Sequence, residues 1–463
     1  MWTDTIQRDH AVVIGGSIAG LLTARVLSDH FARVTVLERD AVHDRPAVRK
    51  GQPQARHTHV VLEPARQLIQ RYLPEVEPAL LAKGAFRGDA CANLCWFNYG
   101  GYRKRVAAGF DALAVTRTLL EYEVRKAVLE QPNIQLRDQT RIDDLIWDAS
   151  DVCGVYTTQR NGKGVGQDLL RADLVVDASG RGSRLPKWLE AGGYEPPPRE
   201  DVKINIRYTT RVYRRAGRHV DQPEVYFING QPPTDRLIGA MVPVEGGRWF
   251  LTLGGWHGHA APTDNAGFLQ AVKSLPTSDI FDVVASSEPL SDPVPFSYPS
   301  SRRFHYEALR RFPQGLLVLG DAVASFNPIY GQGMSSAALQ VEALDAVLRE
   351  RFARRSLWRR FFARQAKLVS NVWNIAVGED FRYPETVGYK PRGTDLGNRY
   401  VELVHKAAQR DGEVARHVVE VICMRAAPSI LLRPDTLFRV LRSNVPQPER
   451  KRLIVSRAGR QVK

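Results

Sequence analysis

The hexapeptide Gly15-Gly16-Ser17-Ile18-Ala19-Gly20 constrains this chain more than any other feature. It follows a short apolar run at 11–14 and opens a stretch at 20–28 in which Leu21, Leu22, Ala24, Val26 and Leu27 recur with helical spacing. A strand running through a glycine-rich turn into a helix is the setting of the dinucleotide fingerprint G-x-G-x-x-G, here with Ser17 at the middle glycine. Gly15 makes the tight turn, position 17 lets the backbone approach a pyrophosphate, and Gly20 lets the helix pack on the strand. The helix N-terminus offers unpaired N–H groups and partial positive charge to phosphates. The alternating run Arg33–Leu37 reads as the next strand and ends at Glu38, about 20 residues on, where a carboxylate binds ribose hydroxyls. An acidic residue there suits the unphosphorylated ribose of FAD or NAD rather than NADP. No second fingerprint occurs: Gly254-Gly255-Trp256-His257-Gly258 has no following helix and reads as a strand end.

A second constellation lies near residue 320. The apolar run 316–319 ends in Gly320-Asp321, a loop carrying Asn327-Pro328-Ile329-Tyr330 follows, and helical spacing begins after Gly331-Gln332-Gly333-Met334. Asp321 at a strand end can bind a polyol hydroxyl. Gly331 and Gly333 allow close approach to a flat ring, and the helix N-terminus can stabilise negative charge developing on it. In a third strand-to-turn segment, 173–183, Asp177 serves equally as turn residue or ligand. Arg117, just inside a strong helical pattern at 116–130, is equally a cation aimed at a pyrophosphate or a solvated helix arginine. His57 and His59 sit near the expected cofactor loop, where a lone histidine is more often structural. No His/Asp pairing demands a base, so no catalytic residue is assigned.

Around these motifs the pattern is α/β, then β, then α/β again, so the outer parts can share one sheet with a β lobe inserted. Residues 59–83 read as helix broken at Pro64, Pro74 and Pro78; 91–110 as a glycine-rich strand pair; 285–300 as a proline-spaced linker; 334–377 as continuing helix; and the part from about 391 as mostly helical. Four cysteines exclude a disulfide scaffold and fit a reducing compartment, and Cys91 and Cys95 read as buried thiols rather than a metal site. A net charge of +15 would suit nucleic acid, a membrane surface or acidic ligands. Much of the excess lies in 431–463, with nine Arg/Lys against Asp435 and Glu449. That tail reads as a solvated, partly disordered end able to make weak peripheral contact with an anionic membrane. With neither a secretory signal nor a run of ~18 apolar residues, a cytoplasmic location is expected.

These motifs resemble those of FAD-dependent monooxygenases of the aromatic-hydroxylase and squalene-epoxidase type. The 15–38 unit is similar to that family's FAD fingerprint, Arg117 to its arginine helix, 177–183 to its second motif and 320–333 to its Gly-Asp motif. The stretch Gly51-Gln52-Pro53-Gln54-Ala55-Arg56-His57-Thr58-His59, with the 327–333 loop, most resembles the bacterial polyether (polyene) epoxidase branch. The resemblance implies an α/β fold: a Rossmann-like FAD-binding domain (8–90, 111–190 and 300–375), an inserted β-sheet substrate domain (91–110 and 191–299) and a helical C-terminal region with a basic tail (376–463). It implies FAD contacts by Gly15, Gly16, Ser17, Gly20, Glu38, Arg39, Arg56, Arg117, Asp321, Pro328, Gly331, Gly333 and Met334. Aromatic residues of the β lobe line apolar pockets as well as build cores; Trp96, Tyr226 and Phe296 are the substrate candidates.

The activity implied is insertion of one oxygen atom from O2 into a lipophilic small molecule through a flavin C4a-hydroperoxide, with alkene epoxidation preferred to aromatic hydroxylation. A flavin reductase of the geranylgeranyl-reductase kind is the other enzyme reading, since Ala178-Ser179-Gly180 resembles its second motif. Where the family's second motif has Asp-Gly, this chain has Ser179-Gly180, so the electrons of NADPH or NADH are expected to arrive either directly or through a separate flavin reductase. The halogenase signature Gly-x-Trp-x-Ile-Pro is absent, and the FAD motifs argue against a nucleic-acid partner.

Overall fold

The computed structural model describes residues 8–161, 164–219, 224–350 and 354–445. Five parallel strands lie in the order Leu316–Val318, Leu174–Asp177, His10–Ile14, Arg33–Leu37, Ile134–Arg137. The two α/β parts of the sequence therefore share one sheet. His10–Ile14 is buried on both faces, which is why it reads as a continuous apolar run rather than an alternating one. Its register sets Ile14 beside both Leu37 and Asp177, and Asp177 beside Val318. The fingerprint turn, Glu38, the 177–183 turn and the Gly-Asp motif thus open at one edge, outside the carboxyl ends of the strands, where such sheets bind ligands.

An eight-stranded sheet forms the second layer, in the order Ala324–Ser325, Val294–Phe304, Arg199–Arg214, Arg248–Gly255, Leu237–Val244, Val225–Asn229, Leu94–Asn98, Gly101–Tyr102. Alternation drives its long strand: Val202, Ile204, Ile206 and Tyr208 are buried, while Lys203, Asn205 and Arg207 between them are exposed. The strand pair expected at 91–110 forms the far edge. Helices Leu357–Asp380, Thr394–Ala408, Gly412–Ile422 and Pro434–Asn444 close the chain. Val404, Ala407, Val414, Val418 and Val440 build a core there with Leu62, Cys91 and Phe110.

Several expectations need correction. The linker at 285–300 instead contains most of strand Val294–Phe304; Pro295 and Pro299 are exposed, and Pro299 falls at the register shift opposite Lys203–Ile206, where a strand tolerates proline. Helix 334–377 is two helices, Gly333–Arg349 and Leu357–Asp380, since Glu350 is extended. Of the three prolines in 59–83 only Pro74 lies at a break; Pro64 sits in the first turn of Glu63–Tyr72 and Pro78 in that of Val76–Ala82, where no helical N–H is missed. The tail is helical over Pro434–Asn444, anchored by buried Thr436 and Val440, while 446–463 lie outside the described residues. The expected boundaries at 299/300 and 375/376 fall inside Val294–Phe304 and Leu357–Asp380. Among the described residues no helix is long and apolar enough to cross a membrane.

Candidate active site

One cavity of about 1280 Å³ runs between the two sheets and the C-terminal helices. At one wall stands the fingerprint turn. Gly15 has φ +107°, and a Cβ there would meet Ala178 O at 2.6 Å; a Cβ on Gly20 would meet Gly15 O at 1.8 Å. Only glycine fits either position. No side chain caps the helix Ile18–Leu27, so its first N–H groups stand free beside the cavity. The helix Gly333–Arg349 also begins without a side-chain cap, at Gly333 and Met334 on the same cavity.

A buried charge network braces the turn. Glu38 accepts from Gly16 N and Asp40 N, both at 2.9 Å, and pairs with Arg49 at 2.8 Å. Arg49 also pairs with Glu121, which accepts from Ser17 Oγ at 3.0 Å and Gln52 Nε2 at 2.7 Å. Arg117 donates to Ser17 Oγ at 2.8 Å; its buried Nε lies 3.8 Å from its nearest carboxylate, Glu121, and makes no hydrogen bond among the described residues. Burial pulls the Arg117 pKa down, a sign of a cation short of anionic company. Asp321 faces the cavity from the 3₁₀ turn Gly320–Ala322 and accepts no hydrogen bond among the described residues. Surrounding protein pushes its carboxyl up, against the pull of Arg117 and Arg181.

The donor set fits FAD. A glycine cradle that a Cβ would fill, two uncapped helix N-termini, an under-compensated buried arginine and an unpartnered carboxylate meet at one cavity.

Of the expected FAD contacts, Gly15, Ser17, Glu38, Arg39, Arg117, Asp321, Pro328, Gly331, Gly333 and Met334 line the cavity. Gly16 and Gly20 lie behind its wall, the first with its N–H already given to Glu38. Arg56 does not reach the cavity: the 3₁₀ turn Pro53–Arg56 buries Ala55 and turns Arg56 to solvent. Trp96, Tyr226 and Phe296 all line it, as do His57, His59 and Tyr208, whereas Tyr213, Trp249 and Phe250 belong to the core. His57 donates to or accepts from Thr210 Oγ1 at 2.7 Å. Burial lowers the pKa of His57 to about 4 and of His59 to about 3, with Arg56 and Arg117 respectively adding to the effect. Both rings are neutral and weakly basic. Asp177 is a turn residue: it is buried and accepts from Ser179 N at 2.9 Å and Ser183 Oγ at 2.5 Å.

Sequence reasoning missed Arg49, Glu121, Arg181 and Asp380. The i,i+4 spacing Arg117–Glu121–Arg125 was a readable signal for Glu121. Arg49 lies in an aperiodic loop and carried none. Arg181 donates to Ser325 Oγ, to Ser300 Oγ at 2.9 Å and to Tyr298 OH at 3.2 Å, tying the 177–183 turn to the large sheet.

Fold and site together define a flavoprotein with the architecture of FAD-dependent monooxygenases. The FAD binding domain family matches residues 9–354, and the chain belongs to that family. It is 34% identical over 365 residues to Protein Rv3254 of Mycobacterium tuberculosis, covering 74% of each chain. Among solved structures it is similar to the flavin-dependent brominase Bmp2 (TM-score 0.65, 14% identity, 93% of this chain and 97% of that one). It is also similar to the p-nitrophenol 4-monooxygenase PnpA of Pseudomonas putida DLL-E4 (TM-score 0.62, 17% identity, 90% and 98%). At these identities the two structures share the fold.

Proposed function

We propose that this protein is an FAD-dependent monooxygenase that inserts one oxygen atom from O2 into a lipophilic small molecule, by epoxidation of an alkene as in the polyether epoxidase branch. The observation that carries this reading is a shared cavity: the wall that fits FAD and the aromatic wall of Trp96, Tyr226 and Phe296 face the same space. Bound and reduced, FAD supplies the activation of O2 and the transfer of one oxygen atom. The chain supplies position and shelter. The N-terminus of Ile18–Leu27, Ser17 and Arg117 would hold the pyrophosphate, Glu38 the adenosine ribose, and Asp321 the ribityl chain. The N-terminus of Gly333–Arg349 would stabilise negative charge on the reduced ring. Aromatic side chains keep water from the reacting atoms. His57 and His59, neutral and too weakly basic to take a proton near pH 7, suit a reaction that needs no base, which favours epoxidation over phenol hydroxylation. NADPH or NADH, directly or through a flavin reductase, would supply the electrons.

Aromatic hydroxylation is the second reading, favoured by the stacked, flat-ring wall of Tyr99 and His405, whose centroids lie 5.4 Å apart. Incubating the reduced enzyme with candidate polyenes and phenols under ¹⁸O2 separates the possibilities. An epoxide carrying one labelled oxygen is expected. A labelled phenol moves the assignment to hydroxylation, label drawn from water overturns oxygen transfer, and substrate reduction without O2 consumption points to a flavin reductase.

A further inference from the structure

The wall formed by Trp96, Tyr99 and His405 is built differently from the rest of the cavity. Trp96 and Tyr99 come from the hairpin of Leu94–Asn98 and Gly101–Tyr102; His405 comes from the helix Thr394–Ala408. Gln409 fastens the two by donating to Asn98 O at 2.9 Å, and Lys104 N donates to Ala408 O at 2.9 Å. Behind this wall lies Arg103, 5% exposed. Its guanidinium carbon sits 3.2 Å from the Trp96 ring centroid, and its Nη2 donates to His405 Nδ1 at 2.5 Å. Its Nε and Nη1 are buried with no hydrogen-bond partner among the described residues.

This geometry fixes the histidine's proton. Arginine only donates, so Nδ1 must be the acceptor and carries no hydrogen. The ring is then neutral, with its proton on Nε2. Burial, with the charges of Arg103 and Arg382, pushes the imidazole pKa well down, in agreement. Stacking on Tyr99, with planes 19° apart, fixes the ring's orientation. His405 lines the cavity, and its Nε2–H has no hydrogen-bond partner among the described residues. Arg382 is paired with Glu379 at 2.8 Å, so its charge is answered. Arg103 has no carboxylate partner among the described residues; burial draws its pKa down only to about 9, which leaves it charged near neutrality. A fixed N–H donor backed by an unanswered positive charge recognises an anionic oxygen.

We propose that His405, held by Arg103, is a substrate-binding residue that donates its Nε2–H to an anionic oxygen (carboxylate, enolate or phenolate) on the lipophilic substrate. The assignment rests on the reading that this cavity takes such a substrate, and Arg103 acts as a positioning residue. The FAD-containing protein can be titrated with 4-nitrophenol near that probe's own pKa, following its yellow phenolate band, and with its neutral methyl ether. Binding to the wild type should shift the probe toward phenolate and disfavour the ether. His405→Phe should abolish that shift and weaken binding about tenfold. His405→Gln, which keeps an N–H near the Nε2 position, should retain most of both. FAD content and far-UV circular dichroism verify that each variant is folded. An unchanged shift and affinity in His405→Phe, equal affinity for probe and ether in the wild type, or binding of neither would overturn the subsite. Absence of FAD from the wild type would instead overturn the monooxygenase reading, and the same titration of that FAD-free protein would still judge His405.

Discussion

Asn327 and Asp380, 53 residues apart in sequence, meet through a buried hydrogen bond of 2.7 Å from Asn327 Nδ2 to Asp380 Oδ1. Tyr330 OH and Trp256 Nε1 donate to the same oxygen at 3.1 and 3.2 Å. One carboxylate at the end of the helix Leu357–Asp380 therefore holds both ends of the 327–330 loop, whose residues line the cavity. Its other oxygen is buried with no hydrogen-bond partner among the described residues.

Burial pushes the Asp380 carboxyl up to about 7, against its three donors. In the unfolded chain an aspartate titrates near ~3.9. Between these values the folded protein binds the extra proton, so stability is greatest below the unfolded pKa and falls as pH rises toward about 7. Asp380→Asn should flatten that fall, whose slope for one group cannot exceed ~1.4 kcal/mol per pH unit. Urea denaturation of wild type and variant at several pH values from 4 to 8 checks it; parallel curves would show that Asp380 does not titrate there.

Asp321→Ala should weaken FAD binding by about 1.5–3 kcal/mol, the range for a hydrogen bond to a charged group. The carboxylate faces the cavity and accepts no hydrogen bond among the described residues, so folding should be nearly unaffected. Titrating the apoprotein with FAD by fluorescence quenching measures the change. An unaltered Kd would remove Asp321 from the ribityl site.

Arg49→Met should destabilise the protein by roughly 3–5 kcal/mol, because it leaves Glu38 and Glu121 buried without their common cation. Since Glu38 also holds Gly16 N, the variant should lose FAD as well as stability. Denaturant midpoints and the flavin content of the purified protein report the two effects. A stable variant with full flavin content would mean that Arg125, 3.9 Å from Glu121, takes over the charge.

Truncation after Val445 should leave FAD content unchanged, whereas truncation after Ile430 should destabilise the protein. The second cut removes Val440 and Thr436 from the C-terminal core and Arg439 from its 3.1 Å pair with Asp411. If the basic end associates with anionic lipid, at about 1 kcal/mol per basic residue near the surface, the shorter truncation should abolish co-sedimentation with phosphatidylserine vesicles at low salt. Equal sedimentation of both forms would locate any lipid contact elsewhere.

The motif-bearing half of the site was legible in the sequence because its function is backbone geometry. Gly15 and Gly20 stand where no Cβ fits, and strand-to-turn spacing places Glu38 and Asp321 at the carboxyl edge of a parallel sheet whatever the rest of the chain does. Those constraints are local, within some 20 residues, so one sequence carries them. Alternation and helical spacing likewise marked most strands and helices. Other outcomes depended on which surfaces meet. Arg56 turned to solvent while Arg49, from the same loop, became the buried cation, a choice set by Glu121 arriving 72 residues later. Nothing near Asp380 predicts that Asn327, Tyr330 and Trp256 will converge on one of its oxygens. Nothing near His405 predicts Arg103, 302 residues away. A burial-shifted pKa or a fixed tautomer belongs to a set of contacts rather than to a residue, and those contacts exist only once the helices after 357 close against the sheet.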